Sequence, residues 1–138
     1  MDQQLLDKIE AYRAKGFEVP DADMIKTPEQ IEGIRKACEI NTKVLDEVAK
    51  HIKAGMTTAD IDKIVYDFTT AQGAVPAPLG FCGFPKSVCT SINDQVCHGI
   101  PSENDVLRSG DIVNVDVSTI YNGYYADASR MFMIGKVN

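Results

Sequence analysis

The chain has 138 residues, enough to bury one modest core. At 44% hydrophobic and 25% charged, its balance is that of an ordinary globular domain. A net charge of −6 argues against general nucleic-acid or anionic-membrane binding, and no apolar run approaches the length of a membrane span. The first residues show no basic region followed by an apolar core, so the cytoplasm is the expected location.

Helices are expected first and strands later. Leu5, Leu6, Ile9 and Tyr12 recur at helical spacing, and Gly16 reads as a C-cap. Phe17 to Lys26, which includes Pro20, reads as a linker, so residues 1–24 are expected to be an amphipathic extension and linker before a main domain at 25–138. Thr27-Pro28-Glu29-Gln30 has the form of a capping box with proline at the first helical position. Ile31, Ile34, Cys38, Leu45, Val48 and Ile52 then predict a long amphipathic helix ending near Gly55. Thr57 or Thr58 should cap the next helix, with Ile61, Ile64, Val65 and Phe68 as its buried stripe and Gly73 at its end. Prolines and glycines break regular structure from Val75 to Gly83. Val88–Ile92 and Gln95–Ile100 are predicted strands joined at Asn93-Asp94, and Ser102–Gly110 is a predicted loop. There is no internal repeat and no low-complexity tract. The pattern is α+β.

The last predicted element is a hairpin that carries two aspartates. Asn122-Gly123 is a strong turn signal because both residues tolerate positive φ. With these two as the central turn residues, Asp116 pairs with Ser129, and Asp127 lies two residues further along on the same face. A turn slipped by one residue toward the N-terminus would set the aspartates directly opposite each other. Either register leaves their β carbons about 5–8 Å apart. Two like charges so close call for a cation between them, and one or a pair of divalent ions is the natural candidate. The competing reading is a solvated outer face with a nearby Lys or Arg. Asn114 and Ser118 share the Asp116 face, while Val113, Val115 and Val117 take the other.

The four cysteines, Cys38, Cys82, Cys89 and Cys97, form no Cys-x-x-Cys pair. A zinc site from Cys82, Cys89, Cys97 and His98 matches no common module, and reduced thiols packed as small hydrophobes are the expected state. On a strand, Cys97 and His98 would point to opposite faces, which argues against a nucleophilic pair. His51 falls near a helix end, where a partly exposed imidazole facing the helix dipole is ordinary.

Four segments together resemble the type I methionine aminopeptidases: Phe84-Pro-Lys-Ser-Val-Cys-Thr-Ser-Ile-Asn93, Val96-Cys-His98-Gly-Ile-Pro101, Ser109-Gly-Asp-Ile-Val-Asn-Val-Asp116 and Asp127-Ala-Ser-Arg-Met-Phe132. Order and spacing also match, with the first aspartate eighteen residues after His98 and the second eleven further on. The resemblance runs from about Ile25 to Asn138. It implies the pita-bread fold, an antiparallel sheet backed by helices, with this chain matching the N-terminal half of the catalytic domain. The Val113–Val115–Val117 face would then lie against the helices. It also implies that Asp116 is a chelating metal ligand, that Asp127 bridges two divalent ions (cobalt, manganese, iron or zinc), and that His98 contacts substrate near the scissile bond. Phe81, Phe84 and Cys89 would line the pocket for a methionine side chain, for which aromatics and a thiol are a soft, apolar match.

The reaction implied is removal of the initiator methionine from nascent chains with a small second residue. The resemblance calls for five metal ligands, of which this chain supplies two aspartates. Its histidines are His51 and His98, and no glutamate follows Glu103, so the missing histidine and two glutamates have no counterpart. The chain alone is therefore expected to be inactive, and either to self-associate or to pair with a C-terminal half. Cys82 departs from the family by standing where histidine is frequent. Two alternatives are a non-catalytic binding protein on the same fold and an aminopeptidase or prolidase of different specificity. Intact Asp116, Asp127 and His98 count against the first, and the Phe81–Cys89 segment favours methionine over proline substrates.

Overall fold

The computed structural model describes residues 3–19 and 24–137. Pro20 of the predicted linker lies outside the described residues. The chain divides into two compact units, Met1–Ile31 and Glu32–Asn138.

In the first unit, helix α1 spans Gln3–Arg13 and none of its residues is buried. Gly16, at φ 82°, follows it and donates its N–H to the Arg13 carbonyl, and Phe17 donates to that of Tyr12. The Tyr12 and Phe17 rings meet edge to face at 5.8 Å. The expected capping box forms at Thr27, whose N–H donates to Gln30 Oε1 at 2.8 Å while Gln30 N–H donates to Thr27 Oγ1. It starts helix α2, Pro28–His51.

In the second unit, α2 buries Ala37, Ile40, Asn41, Val44, Leu45 and Val48. The buried line follows the predicted stripe only in part. Cys38 is exposed, and the buried line passes one residue earlier, through Ala37 and Asn41. Leu45 and Val48 are buried and Ile52 packs on the core as predicted, but Ile31 is exposed as well. A small alanine and a polar asparagine give too little hydrophobic signal to reveal their part of the buried line. The helix also stops before Gly55, which at φ 88° donates its N–H to the Leu107 carbonyl. Helix α3, Thr58–Ala71, is capped by Thr57 in a reciprocal box with Asp60. Ile61 and Val65 are fully buried, and Ile64 and Phe68 pack beside them as the pattern predicts.

Among the described residues, four strands form one antiparallel sheet: β1 (Val75–Pro76), β2 (Cys89–Ile92), β3 (Ile112–Tyr121) and β4 (Tyr124–Met133). Strand β3 is central. It pairs with β4 along its whole length, and its other edge takes β2 near one end and β1 near the other. Val113, Val115 and Val117 are fully buried and join Val44, Leu45 and Val48 of α2 and Ile61 and Val65 of α3 in one core. Each such side chain contributes roughly 1.5–3 kcal/mol of transfer free energy. Thr119, next on the same face, donates its hydroxyl to Asn41 Oδ1 at 2.7 Å, tying sheet to helix. The α+β reading and the helix-facing valines are as expected.

The predicted strand Gln95–Ile100 is not one. Asn93 and His98 both sit in the left-handed region at φ 55°, which interrupts extended backbone on either side. The segment runs beside β2 and is bonded to it from Thr90 N–H to the Gly99 carbonyl.

Candidate active site

The hairpin turn forms at Asn122 (φ 49°) and Gly123 (φ 80°), with Tyr121 opposite Tyr124. That selects the first of the two registers: Asp116 faces Ser129, and Ser118 faces Asp127. Because opposed residues share a face, Asp116 and Asp127 lie diagonally on the side away from the valines. The Ser118 hydroxyl donates to Asp127 Oδ1 at 3.0 Å and steadies that carboxylate.

Asp116 is half-buried and Asp127 exposed. Burial pushes the Asp116 carboxyl above its ordinary value. The neighbouring Asp127 adds to this through its charge and a hydrogen bond, and His98 opposes it. On the other edge of β3, Cys89 of β2 lies directly opposite Asp116 and therefore shares its face. Burial raises the Cys89 thiol, and the charges of Asp116, Cys97 and Asp127 raise it further, so this thiol stays neutral.

These groups line one cleft of about 790 Å³. Phe81, Phe84, Cys89, His98, Asp116 and Asp127, all predicted site residues, contribute to its wall. Phe84 is partly buried, whereas Phe81 is 72% exposed. Cys82 is also in the wall, in the left-handed region at φ 48° within a short turn, Phe81–Gly83. The structure adds Ile100, Ser118 and Tyr125 to the lining. Tyr125 could have been found by parity, since it precedes Asp127 by two and must share its face. Ile100 could not, because its place depends on the irregular path after Asn93.

Two residues weighed earlier lie elsewhere. His51 ends α2, where its Nε2 is 2.9 Å from Glu47 Oε1. Cys97 is exposed and is not part of the cleft wall. The strand-parity objection to Cys97 lapses with the strand, but its position gives the same answer.

Among the described residues no group of three or more His, Cys, Asp or Glu is arranged to hold a metal ion, the Cys82, Cys89, Cys97 and His98 set included. Asp116 and Asp127 fit part of a donor set for a hard or borderline divalent ion. They offer carboxylate oxygens on one face, and their mutual repulsion is what a cation relieves.

The methionine aminopeptidase of Chlamydia trachomatis serovar D is 46% identical over 136 residues, covering 96% of this chain and 45% of that protein. That of Escherichia coli K12 is 48% identical over 113 residues, covering 81% of this chain and 43% of its own. The crystal structure of methionine aminopeptidase from Rickettsia prowazekii superposes with a TM-score of 0.81 at 44% identity, over 83% of this chain and 46% of that one. This chain thus spans less than half the length of these relatives, and its sheet and helices are those of the pita-bread fold. No described helix is long and apolar enough to cross a membrane. The sequence profile of metallopeptidase family M24, a family that uses divalent metal, matches residues 32–138. That stretch contains the whole cleft and both aspartates, and the chain belongs to metallopeptidase family M24.

Proposed function

We propose that this chain is the N-terminal part, residues 25–138 preceded by an extension at 1–24, of a cytoplasmic methionyl aminopeptidase. Its substrates are nascent polypeptides that begin with methionine and a small second residue. The observation that carries the reading is the convergence of Asp116, Asp127, His98, Cys89 and Phe84 in one cleft. Asp116 and Asp127 would hold a pair of divalent ions, drawn from cobalt, manganese, iron or zinc, together with ligands from a C-terminal half. When bound, such ions supply Lewis acidity and an acidified water for attack on a peptide carbonyl.

The chain's own residues prepare that reaction. Ser118 orients the Asp127 carboxylate through its hydroxyl. His98 hydrogen-bonds the substrate near the scissile bond and acts on charge that develops there. Phe81, Phe84 and the neutral Cys89 thiol take the methionine side chain, since aromatic edges and sulfur suit a thioether. Residues 112–121 and 124–133 form a rigid hairpin, so both carboxylates are held by ladder hydrogen bonds rather than by loops.

The test is product analysis with the protein completed by a C-terminal half. A Met-Ala-Ser peptide should release methionine only with divalent metal, and a peptide with proline second but a residue other than methionine first should be poor. Preference for cleavage before proline would replace this reading with the prolidase alternative. Tight peptide binding without turnover would replace it with the binding-protein alternative.

A further inference from the structure

The Gln95–Ile100 segment forms no ladder, yet it is fixed at one residue. The Gly99 carbonyl accepts from Thr90 N–H at 2.9 Å, and Gly99 N–H donates to Ser91 Oγ at 3.2 Å in a buried bond. Ser91 is 5% exposed and lies opposite Asn114, so its side chain is on the face that carries Asp116. A β carbon at position 99 would overlap the Thr90 carbonyl oxygen and come within 2.7 Å of Gln95 Oε1. Glycine is needed here for close approach to β2. The residue just before this anchor is His98, left-handed at φ 55°, exposed and in the cleft wall.

Removing the Ser91 hydroxyl would leave a buried N–H without a partner, which is more costly than losing an ordinary hydrogen bond. The segment would turn to hydrate that group. The Thr90–Gly99 bond would remain as a pivot, so the main displacement would fall on the neighbouring side chain, His98. We infer that Ser91 is a positioning residue: through the Gly99 N–H it fixes the turn beside β2 and thereby sets where the His98 imidazole stands relative to Asp116 and Asp127. The inference rests on the site proposed above.

Manganese(II) alone serves as the probe, with the full 138-residue chain observed by NMR. The chain has two histidines, and His51 lies on the last turn of α2 outside the cleft wall, so it is an internal reference. Paramagnetic broadening falls with the inverse sixth power of distance. In the unsubstituted chain manganese should broaden His98 much more than His51. Ser91→Ala should reduce the His98 broadening several-fold at matched metal occupancy, and Ser91→Thr, which keeps the hydroxyl, should restore it. Unchanged methyl signals from Val113, Val115 and Val117 report that the core is intact. Gly99 amide exchange in the unsubstituted chain needs no variant: slow exchange is expected, and fast exchange would overturn the contact. Broadening that survives Ser91→Ala unchanged would overturn the positioning role alone. Broadening of Ser118 and Ser129, which face Asp127 and Asp116, without broadening of His98 in the unsubstituted chain would overturn this inference, whereas the proposed site is judged separately by the activity of the completed protein.

Discussion

Asp116 carries its charge against both burial and a second carboxylate. A cation between Asp116 and Asp127 would remove that opposition, which is why the pair is proposed as ligands rather than as a solvated face. Replacing either by Asn keeps the shape and deletes a charge. In the completed enzyme Asp127→Asn should cost more than about 100-fold in turnover, because even losing a partner of a metal ligand costs 10–100-fold. Full activity in that variant, measured on a Met-Ala-Ser peptide, would reject the assignment. His98→Ala should behave differently. Metal content should hold while turnover drops by about 10²–10³-fold, the range for losing one donor to a transition state. Metal loss on this substitution would make His98 a ligand. At this scale much was legible in advance. Strand parity and the Asn122-Gly123 turn put the two aspartates on one face, and they do share it. The role of Ser91 was not legible, because it depends on a backbone N–H from a segment with no regular period.

Elements were legible where local chemistry decides them. The box at Thr27 could be read because the capping side chain and its reciprocal partner are three residues apart. Of the two caps expected for α3, Thr57 or Thr58, the structure takes Thr57 and adds its box with Asp60. Gln95–Ile100 misled because Val96 and Ile100 look like strand residues, yet Val96 is 93% exposed and packs on nothing that would order it. Thr57→Ala should lower stability by about 1 kcal/mol in urea unfolding, the usual cost of losing an N-cap hydroxyl. An unchanged midpoint would mean that the α3 start is held by other contacts. The start of β3 makes a pH prediction. Asp111 accepts from Asn93 Nδ2 and from Arg108 N–H, which hold its carboxyl below the ordinary value of 3.8. A carboxyl depressed in the folded state adds stability that is fully present above its unfolded value and is lost as pH falls through the folded one. Asn93→Ala should therefore be most destabilising near neutral pH, and its deficit should shrink below about pH 4. Urea melts at both pH values check this, and a deficit that grows with acid would contradict it.

At the scale of the whole molecule, the cleft wall brings together Asp116, Asp127 and His98, but among the described residues no group of three or more His, Cys, Asp or Glu is arranged to hold a metal ion. Among the described residues β4 pairs on one edge only, with β3, and its cleft face exposes Tyr125, Met131 and Met133. An edge strand with apolar neighbours invites another chain to pair with it. Hydrophobic periodicity could show the buried side of this sheet, but what covers the other side depends on contacts with another segment and leaves no period in these residues. The central claim is that Asp116 and Asp127 form part of a divalent-metal aminopeptidase site that needs a second half. The most direct measurement is methionine release from Met-Ala-Ser with added divalent metal, assayed for the 138-residue chain alone and with a separately supplied C-terminal half of a family member, alongside light scattering. The account predicts no turnover by the chain alone and metal-dependent turnover after complementation. Metal-dependent turnover by the chain alone as a clean monomer would contradict it.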